Sequence, residues 1–357
     1  MAESSAHNKQ IVIYGSYGYT GWLISELASK SSYNVLLAGR NGSKLKKQAE
    51  TLGLPFETAS LDRPDDLDRL LDNASVVIHC AGPFHQTWKP MLDACIRNSC
   101  HYLDITGEIT VFEGIKSRDK EIRGAGLMAM PGTGFDVVPT DCMALYLKKK
   151  LPDAISLELA FMGLGGGVSH GTAQTMADNL GSGSLIRENG KIKKVPAAYK
   201  VKEIDFGRGT KTAASIPWGD VSTAHFTTGI PNITVYTAMK RSAVRMLKLS
   251  NYLGAILRLS AVKSFIKKWI SKNVDGPDSE SREEGISVVW GRAENEKGKA
   301  KTARLITQEG YTLTAKTAFL IAQKVTAGNF KTGYQTPAAV YGETFILELD
   351  RTEFIAP

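Results

Sequence analysis

The stretch Ile11-Val-Ile-Tyr-Gly15-Ser-Tyr-Gly18-Tyr-Thr-Gly21 decides the fold, because it joins an apolar run to three glycines spaced three residues apart. The apolar run predicts a buried strand, and the glycines predict a tight turn that opens a helix. Glycines let the backbone approach a pyrophosphate closely, and amide groups at a helix N-terminus point toward it. The GxxGxxG spacing is weak evidence alone, but its place between strand and helix favours a dinucleotide-binding loop. The residues predicted to contact the dinucleotide are Gly15, Ser16, Tyr17, Gly18, Tyr19, Thr20 and Gly21.

From Gln10 to Pro131, short apolar runs alternate with segments of helical pattern. This alternation is typical of a parallel sheet with crossover helices, and it predicts a Rossmann-type, doubly wound domain of the α/β class. Strands are predicted at 11–14, 34–38, 56–60, 75–80, 102–105 and 127–130, and helices at 22–29, 43–52, 64–72, 89–97 and 111–123.

Beyond Pro131 the pattern changes to longer, half-apolar strands, which predict an α+β domain with a mixed sheet. These strands are expected at 156–162, 233–239 and 286–292, with a helix at 312–326. A chain of 357 residues also exceeds what one core usually covers. The predicted organisation is a flexible N-terminus at 1–10, a Rossmann domain at 11–135, a substrate and dimerisation domain at 136–330, and a C-terminal segment at 331–357 that packs back on the first domain.

The end of the second predicted strand indicates which dinucleotide is bound. NAD enzymes present Asp or Glu there to the ribose hydroxyls, but no acidic residue occurs from Leu27 to Ala49. A guanidinium can pair with a 2′-phosphate and stack on adenine, so Arg40 favours NADP(H). Asn41, Ser43 and Lys44 are predicted to assist it.

Two further loops are predicted to line the cofactor. Asp62 follows the third strand, where it could accept from the adenine amino group or cap the helix that starts near Pro64. The loop after the fourth strand is expected along the nicotinamide ribose, because ligands bind at the carboxyl edge of such sheets. Its residues are Ala81, Gly82, Pro83 and Phe84.

Three more strings add specificity to the glycine loop: Cys80-Ala-Gly-Pro-Phe84, His101-Tyr-Leu-Asp-Ile-Thr-Gly-Glu108 and Gly134-Phe-Asp-Val-Val-Pro-Thr-Asp141. With that loop, they closely resemble the saccharopine dehydrogenase-like oxidoreductases, and the length resembles their trans-acting enoyl reductase branch. The likeness is strong over about the first 145 residues and fainter through Gly310-Tyr-Thr-Leu-Thr314. It implies an NADP-binding Rossmann domain followed by an α+β domain whose sheet can support a homodimer.

The resemblance leaves the substrate open between two chemistries. Saccharopine-type C–N chemistry on an amino-dicarboxylate needs clustered Arg and Lys, and the region after Pro131 offers no such cluster among its pocket-like motifs. Reduction of a C=C bond in an acyl or polyketide-like lipid is therefore favoured. A third hypothesis is a non-catalytic, NADP-binding protein associated with membranes.

Enoyl reduction needs a hydrogen-bond donor for the enolate and a proton for its α-carbon. The candidates are His85, Asp104 and Asp136, which follow the fourth, fifth and sixth strands, and His170 from the second domain. For Asp104, a structural role and a catalytic role are given equal weight. Glu108 is either catalytic or a cap for the helix that starts near Thr110. The scattered histidines predict no metal site.

The net charge of +8 is concentrated in one segment, because 240–272 holds nine Lys or Arg and no Asp or Glu. The bases alternate with apolar residues, which predicts a pair of basic amphipathic helices broken at Ser260. Three interpretations stay open: docking on an anionic membrane, binding to an acidic acyl carrier protein, or a helix that covers its own domain. Nucleic-acid binding is not expected. The polar N-terminus and unpaired cysteines predict a cytoplasmic protein, peripheral at a membrane in the first of these cases.

Overall fold

The computed structural model describes residues 10–165, 169–257, 259–273 and 276–355. The predicted flexible N-terminus at 1–10 lies outside this part of the chain, except Gln10, which begins the first strand. The described chain divides into two compact units. The first comprises 10–138 and Tyr311–Val340, and the second comprises Pro139–Gly310 and 341–355.

A parallel sheet forms the centre of the first unit. Its strands are β1 (Gln10–Tyr14), β2 (Val35–Gly39), β3 (Phe56–Thr58), β4 (Ala74–His79), β5 (His101–Asp104), β6 (Met128–Met130) and, late in the chain, β15 (Gly333–Tyr334). The order across the described sheet is β15-β6-β5-β4-β1-β2-β3, and every pairing is parallel. The predicted doubly wound α/β class is therefore confirmed, with β15 added at one edge.

Six helices connect the first six strands: α1 (Tyr19–Ser29), α2 (Gly42–Leu52), α3 (Pro64–Leu71), α4 (Phe84–Arg97), α5 (Ile109–Ser117) and α6 (Asp119–Gly124). The single helix predicted at 111–123 is wrong, since the chain breaks at Arg118. The backbone of Arg118 leaves the helical region there, and its guanidinium binds Asp93 and Glu121. Helices on both faces explain why β1 and β4 are almost continuously apolar and buried.

The second unit contains a mixed sheet. Its strands are β7 (Ser156–Leu164), β8 (Ser184–Glu188), β9 (Lys191–Val195), β10 (Val201–Asp205), β11 (Thr210–Ile216), β12 (Asn232–Ala238), β13 (Ile286–Glu294), β14 (Ala300–Gln308) and β16 (Glu353–Ile355). The described order is β10-β11-β12-β7-β13-β14-β16, with β8 paired to β12 and β9. β7 and β12 are parallel and their other neighbours antiparallel, so the predicted mixed sheet is confirmed.

The remaining helices are α7 (Val138–Lys150), α8 (His170–Asn179), α9 (Asp220–Thr228), α10 (Arg241–Ser250), α11 (Gly254–Leu257), α12 (Ser260–Asn273), α13 (Ser279–Glu284), α14 (Gly310–Thr326) and α15 (Pro337–Tyr341). The basic segment thus forms three described helices instead of the predicted pair. Ser260 does begin a helix, but the chain also breaks after α10. There the side chain of Asn251 binds the backbone of Ala197 through both its oxygen and its nitrogen.

The division into units differs from the predicted boundaries at the C-terminal end. Residues 311–330 were expected in the second domain, yet they belong to the first unit, because α14 buries an apolar side there and Thr317 donates to Thr133 O at 2.7 Å. Residues 331–340 do return to the first unit, where β15 pairs with β6. Residues 341–355 were expected there too, but they belong to the second unit, where β16 pairs with β14.

Candidate functional site

The glycine loop after β1 has a backbone that side chains would obstruct. Gly15 has a φ of +79°, a conformation that favours glycine, and its N–H donates to Ala38 O at 2.7 Å. A Cβ on Gly15 would lie 2.9 Å from the Cβ of Ala81, in the loop after β4. A Cβ on Gly21 would overlap Gly15 O. The loop is therefore closed on itself and fixed against the neighbouring strand connection.

Helix α1 begins directly after this loop. Its N-cap is Gly18, which offers no capping side chain, and its first turn contains no Asp or Glu. The first intrahelical bond, from Trp22 N to Gly18 O, measures 2.7 Å. The positive end of the helix dipole is therefore not neutralised by a carboxylate of its own first turn, which suits an anionic pyrophosphate.

The side chain of Ser16 fixes the glycine loop. Its side chain is buried, and its hydroxyl donates to Gln48 Oε1 at 2.8 Å, while Gln48 Nε2 donates to Ser16 O at 2.9 Å. The hydroxyl thus points toward α2 and holds the loop. The sequence did not reveal this role of Gln48. Its only signal is a polar residue in the middle of an amphipathic helix.

The end of β2 carries the residues predicted to select NADP. Arg40 is exposed directly after the strand, and Asn41 caps α2 by accepting from Lys44 N at 3.0 Å and from Ser43 Oγ at 2.8 Å. The Lys44 ammonium lies 5.7 Å from the ring centroid of Tyr17. Asn41 and Ser43 therefore shape the helix start, and the exposed side chain of Arg40 is compatible with the predicted contact to a 2′-phosphate.

Asp62 lies at the same edge of the sheet. It does not cap α3, whose N-cap is Arg63 without a side-chain hydrogen bond, so the capping alternative is wrong. Burial, with Tyr17 and Asp62 adding to it, raises the pKa of the Tyr14 phenol to about 12, and Arg40 opposes this rise. These side chains therefore lie close enough to act on one phenol.

The loop after β4 is held by the loop after β5. Glu108 Oε1 accepts from Phe84 N at 3.0 Å, and Oε2 accepts from His85 N at 3.2 Å. Glu108 therefore caps α4, whereas the prediction that it caps its own following helix is wrong, because α5 has no side-chain cap. The His85 ring is 41% exposed and lies with Nδ1 2.9 Å from Glu108 Oε2. His85 is thus bound to a structural carboxylate.

Asp104 ties β5 to β6. Its carboxylate is buried and accepts from Tyr102 OH at 2.7 Å, from Thr106 N at 2.9 Å and from Gly132 N at 2.9 Å. Burial raises the pKa of Asp104 to about 6, although all three hydrogen bonds act against that rise. Asp104 therefore fixes the loops that follow β5 and β6, which favours a structural role over a catalytic one.

Asp136 follows β6, and its carboxyl makes fewer hydrogen bonds than that of Asp104 among the described residues. Its Oδ1 is buried, and among the described residues it has no hydrogen-bond partner. Its Oδ2 lies against Gly107, where a Cβ would overlap it. Burial raises the pKa of Asp136 to about 8, so the carboxyl is mostly neutral at pH 7. A neutral carboxylic acid at the carboxyl edge of a dinucleotide-binding sheet is able to donate a proton.

His170 belongs to the second unit, as the first residue of α8. Its Nε2 lies 2.9 Å from Gln174 Nε2 in the same helix. His79 and His101 are packed strand residues. Burial lowers the pKa of His79 to about 3, and His101 Nδ1 accepts from Met128 N at 3.0 Å.

The start of α14 adds two residues that the sequence analysis did not place in the site. The ring of Tyr311 meets that of Tyr19 edge-on, with centroids 5.0 Å apart. Thr314 Oγ1 accepts from Phe135 N at 2.9 Å, beside Asp136. The signal was present in the string Gly310-Tyr-Thr-Leu-Thr314, which carried only a faint resemblance.

Together, the strand order, the glycine loop and Arg40 define a dinucleotide-binding domain of the Rossmann class. Residues 11–130 match the family described as "Saccharopine dehydrogenase NADP binding domain". The match is confined to the first unit.

Two curated relatives extend the likeness. The chain is 28% identical to a saccharopine dehydrogenase-like oxidoreductase of Rattus norvegicus over 216 residues, which cover 52% of this chain and 50% of the relative. It is 30% identical to a trans-acting enoyl reductase of Mycobacterium leprae over 149 residues, which cover 40% and 36%. The matched region thus spans half of the first relative's length and about a third of the second's.

One solved structure has a similar fold over both units. The apo saccharopine dehydrogenase (L-Glu forming) of Saccharomyces cerevisiae superposes with a TM-score of 0.66. The superposition covers 98% of this chain and 100% of the yeast chain, with 13% identity. Separately, none of the helices in the described ranges has both the length and the apolar character needed to cross a membrane.

Proposed function

We propose that the chain is an NADPH-dependent oxidoreductase that reduces the C=C bond of an unsaturated acyl or polyketide-like lipid. This proposal rests on two features that lie at the carboxyl edge of the same sheet. A glycine loop of the NADP-binding type lies at the end of β1, with Arg40 after β2. The carboxyl of Asp136, whose Oδ1 is buried and whose pKa burial raises to about 8, follows β6 of the same parallel sheet.

The residues of this edge divide the work of such a reaction. NADPH, when bound, supplies the hydride that adds to the β-carbon of the substrate. The amide groups after Gly15 receive the pyrophosphate, and the guanidinium of Arg40 receives the 2′-phosphate. The hydride leaves an enolate on the substrate, and the carboxyl of Asp136 gives its proton to the α-carbon. The double bond thereby gains one hydride and one proton.

The charge of the edge favours an acyl substrate over an amino-dicarboxylate. The loops at 81–87, 104–110 and 131–137, which follow β4, β5 and β6, contain no Arg or Lys. Binding of two substrate carboxylates would need such cations, because Arg holds a carboxylate through paired, charge-assisted hydrogen bonds. C–N oxidoreduction is the second candidate function, because the yeast protein of similar fold is named a saccharopine dehydrogenase.

The test is oxidation of NADPH by the purified full chain, followed through its absorbance. One panel contains enoyl thioesters of increasing chain length, and a second pairs 2-oxo acids or aldehydes with glutamate or lysine. Turnover of the enoyl thioesters, faster with longer chains, is the expected result. Turnover of the second panel alone assigns C–N chemistry instead. Tight NADPH binding without turnover in either panel assigns a non-catalytic role.

A further inference from the structure

Helices α10, α11 and α12 expose an unusual number of large apolar side chains. Thirteen large hydrophobic side chains are exposed among the described residues, and eight of them lie between Met246 and Trp269. Tyr252 is 86% exposed, Phe265 is 73% exposed and Met246 is 72% exposed. The others are Leu249, Leu253, Ile256, Leu259 and Trp269. A concentration of this kind marks an interaction surface.

These side chains are not the ones that attach the helices to the second unit. Helix α10 uses Val244 and Leu247, which pack with Ala198 and Ala214. Helix α12 buries Ile270, and its Lys267 binds Asp178 of α8 at 2.6 Å. One side of these helices therefore attaches them to the second unit, and apolar residues also cover the exposed side. The interpretation as a simple covering helix, with a charged outer face, does not account for them.

The same surface is strongly basic. The segment 240–272 holds nine Lys or Arg without an acidic residue, whereas the rest of the chain holds 35 basic and 36 acidic residues. Arg245, Lys248 and Lys272 are exposed beside the apolar side chains. A second copy of this surface would bring like charges together, so self-association through it is unfavourable.

From this combination we propose that α10, α11 and α12 dock the protein peripherally on a membrane that contains anionic lipids. Apolar side chains enter the boundary between headgroups and acyl chains, and the bases meet lipid phosphates and carboxylates. Tyr252 and Trp269 suit this boundary, because their rings combine an apolar body with a polar group. The inference is independent of the proposed reaction and concerns where the protein acts.

Flotation of the full chain with vesicles tests the proposal. One vesicle set is pure phosphatidylcholine, and the other also contains phosphatidylserine, which gives the anionic surface that attracts basic segments. We expect binding to the anionic vesicles only, weakened by added salt. Equal binding to both sets, or to neither, would overturn the proposal.

Matched variants locate the surface. The triple variant R245E/K248E/K272E should weaken binding to anionic vesicles about 100-fold or more, since each base contributes roughly fivefold near such a surface. The control K297E/K299E/K301E reverses three exposed lysines around the β13–β14 hairpin and should change binding less than about threefold. If the two triple variants weakened binding equally, the attraction would depend only on the net charge of the protein. That result would overturn the assignment of the membrane surface to α10, α11 and α12.

The apolar contribution has its own pair of variants. F265S/W269S should abolish flotation, and F56S/L347S, which alters exposed residues elsewhere, should retain it. Circular dichroism and NADPH affinity show that each variant is folded. Sedimentation equilibrium completes the test: a dimer that dissociates in F265S/W269S would assign the surface to a second copy. Capture of an acidic acyl carrier by a chain that does not float would assign it to that protein, and either outcome contradicts the proposal.

Discussion

Ser16 and Gln48 hold each other through two reciprocal hydrogen bonds: the Ser16 hydroxyl donates to Gln48 Oε1 at 2.8 Å, and Gln48 Nε2 donates to Ser16 O at 2.9 Å. Both residues are fully buried. The pair fastens the glycine loop after β1 to helix α2, which begins two residues after Arg40. One amide side chain therefore links the conformation of the loop to helix α2, which begins just after Arg40.

Substituting Gln48→Ala should loosen the loop without changing cofactor choice. The variant leaves a buried hydroxyl and a buried carbonyl without their partner, which costs about 1–3 kcal/mol of the free energy of unfolding. We expect the Kd values for NADPH and NADH to rise by the same factor, on the order of tenfold. Calorimetric titration of both cofactors measures this. Thr51→Ala, at an exposed position of the same helix, is the control and should leave both values unchanged.

Substituting Arg40→Asp should change cofactor choice instead. A guanidinium that binds a phosphate contributes through charge-assisted hydrogen bonds, and an aspartate would repel the 2′-phosphate. We expect the Kd for NADPH to rise about 100-fold, while that for NADH changes less than about threefold. Lys46→Asp makes the same charge change at an exposed position of α2. Equal weakening of the two cofactors by Arg40→Asp would show that Arg40 has only a structural role.

Asp136→Asn should alter the pH dependence of stability in a defined direction. Burial raises the pKa of Asp136 from 3.8 to about 8, so the folded protein keeps a proton that the unfolded chain releases. The stabilising effect of that proton is complete below about pH 4 and is lost progressively as the pH rises to about 8. The amide cannot ionise, so the variant should gain stability relative to the wild type across this window.

Urea unfolding at about pH 5 and about pH 8 measures this difference, with Asp72→Asn at an exposed position as the control. A constant offset between variant and wild type would show that the pKa of Asp136 is ordinary in the folded state.

The same variant tests the proposed proton donor. If Asp136 protonates the substrate, activity requires its neutral form, so the wild-type kcat should fall as the pH rises above about 8. Asp136→Asn should lower kcat about 100-fold or more and abolish this pH dependence, while the Kd for NADPH stays unchanged. Stopped-flow measurement of NADPH oxidation separates the chemical step from product release. A variant with full kcat would exclude Asp136 as the donor.

Glu108→Ala and His85→Ala should differ in their effect on stability. Glu108 caps the N-terminus of α4 through Phe84 N and His85 N, so its loss should lower the free energy of unfolding by about 1–2 kcal/mol. The His85 ring is 41% exposed and should contribute less than about 0.5 kcal/mol. Thermal unfolding measures both. The opposite order would mean that His85, not the backbone of α4, is the main partner of Glu108.

The periodicity of the sequence was sufficient to predict the parallel sheet, because strands buried on both faces are continuous apolar runs. It was not sufficient to predict the break at Arg118. That break depends on ion pairs with Asp93, which is distant in sequence, and with Glu121. The boundary of the units was misplaced for a related reason, since the pattern of α14 predicts a helix but not the sheet on which it packs.

The site residues divide in the same way. The glycine loop and Arg40 could be proposed from the sequence, because their predicted chemistry depends on local spacing. The role of Glu108 could not be read from its position, since the helix it caps begins 24 residues earlier in the chain. The distinction between Asp104 and Asp136 likewise required the structure: two neighbouring loops supply donors to the first carboxylate and leave one oxygen of the second without a partner among the described residues.

The first unit is assembled from two separated stretches, so its completion follows an order set by the ribosome. The glycine loop is synthesised early, but β15, the neighbour of β6, and helix α14 emerge about 200 residues after Val138. At roughly 5–20 residues per second, β6 remains an open edge of the nascent sheet for about 10–40 s. Synthesis of the cofactor-binding sheet thus begins well before its edge strand β15 is made.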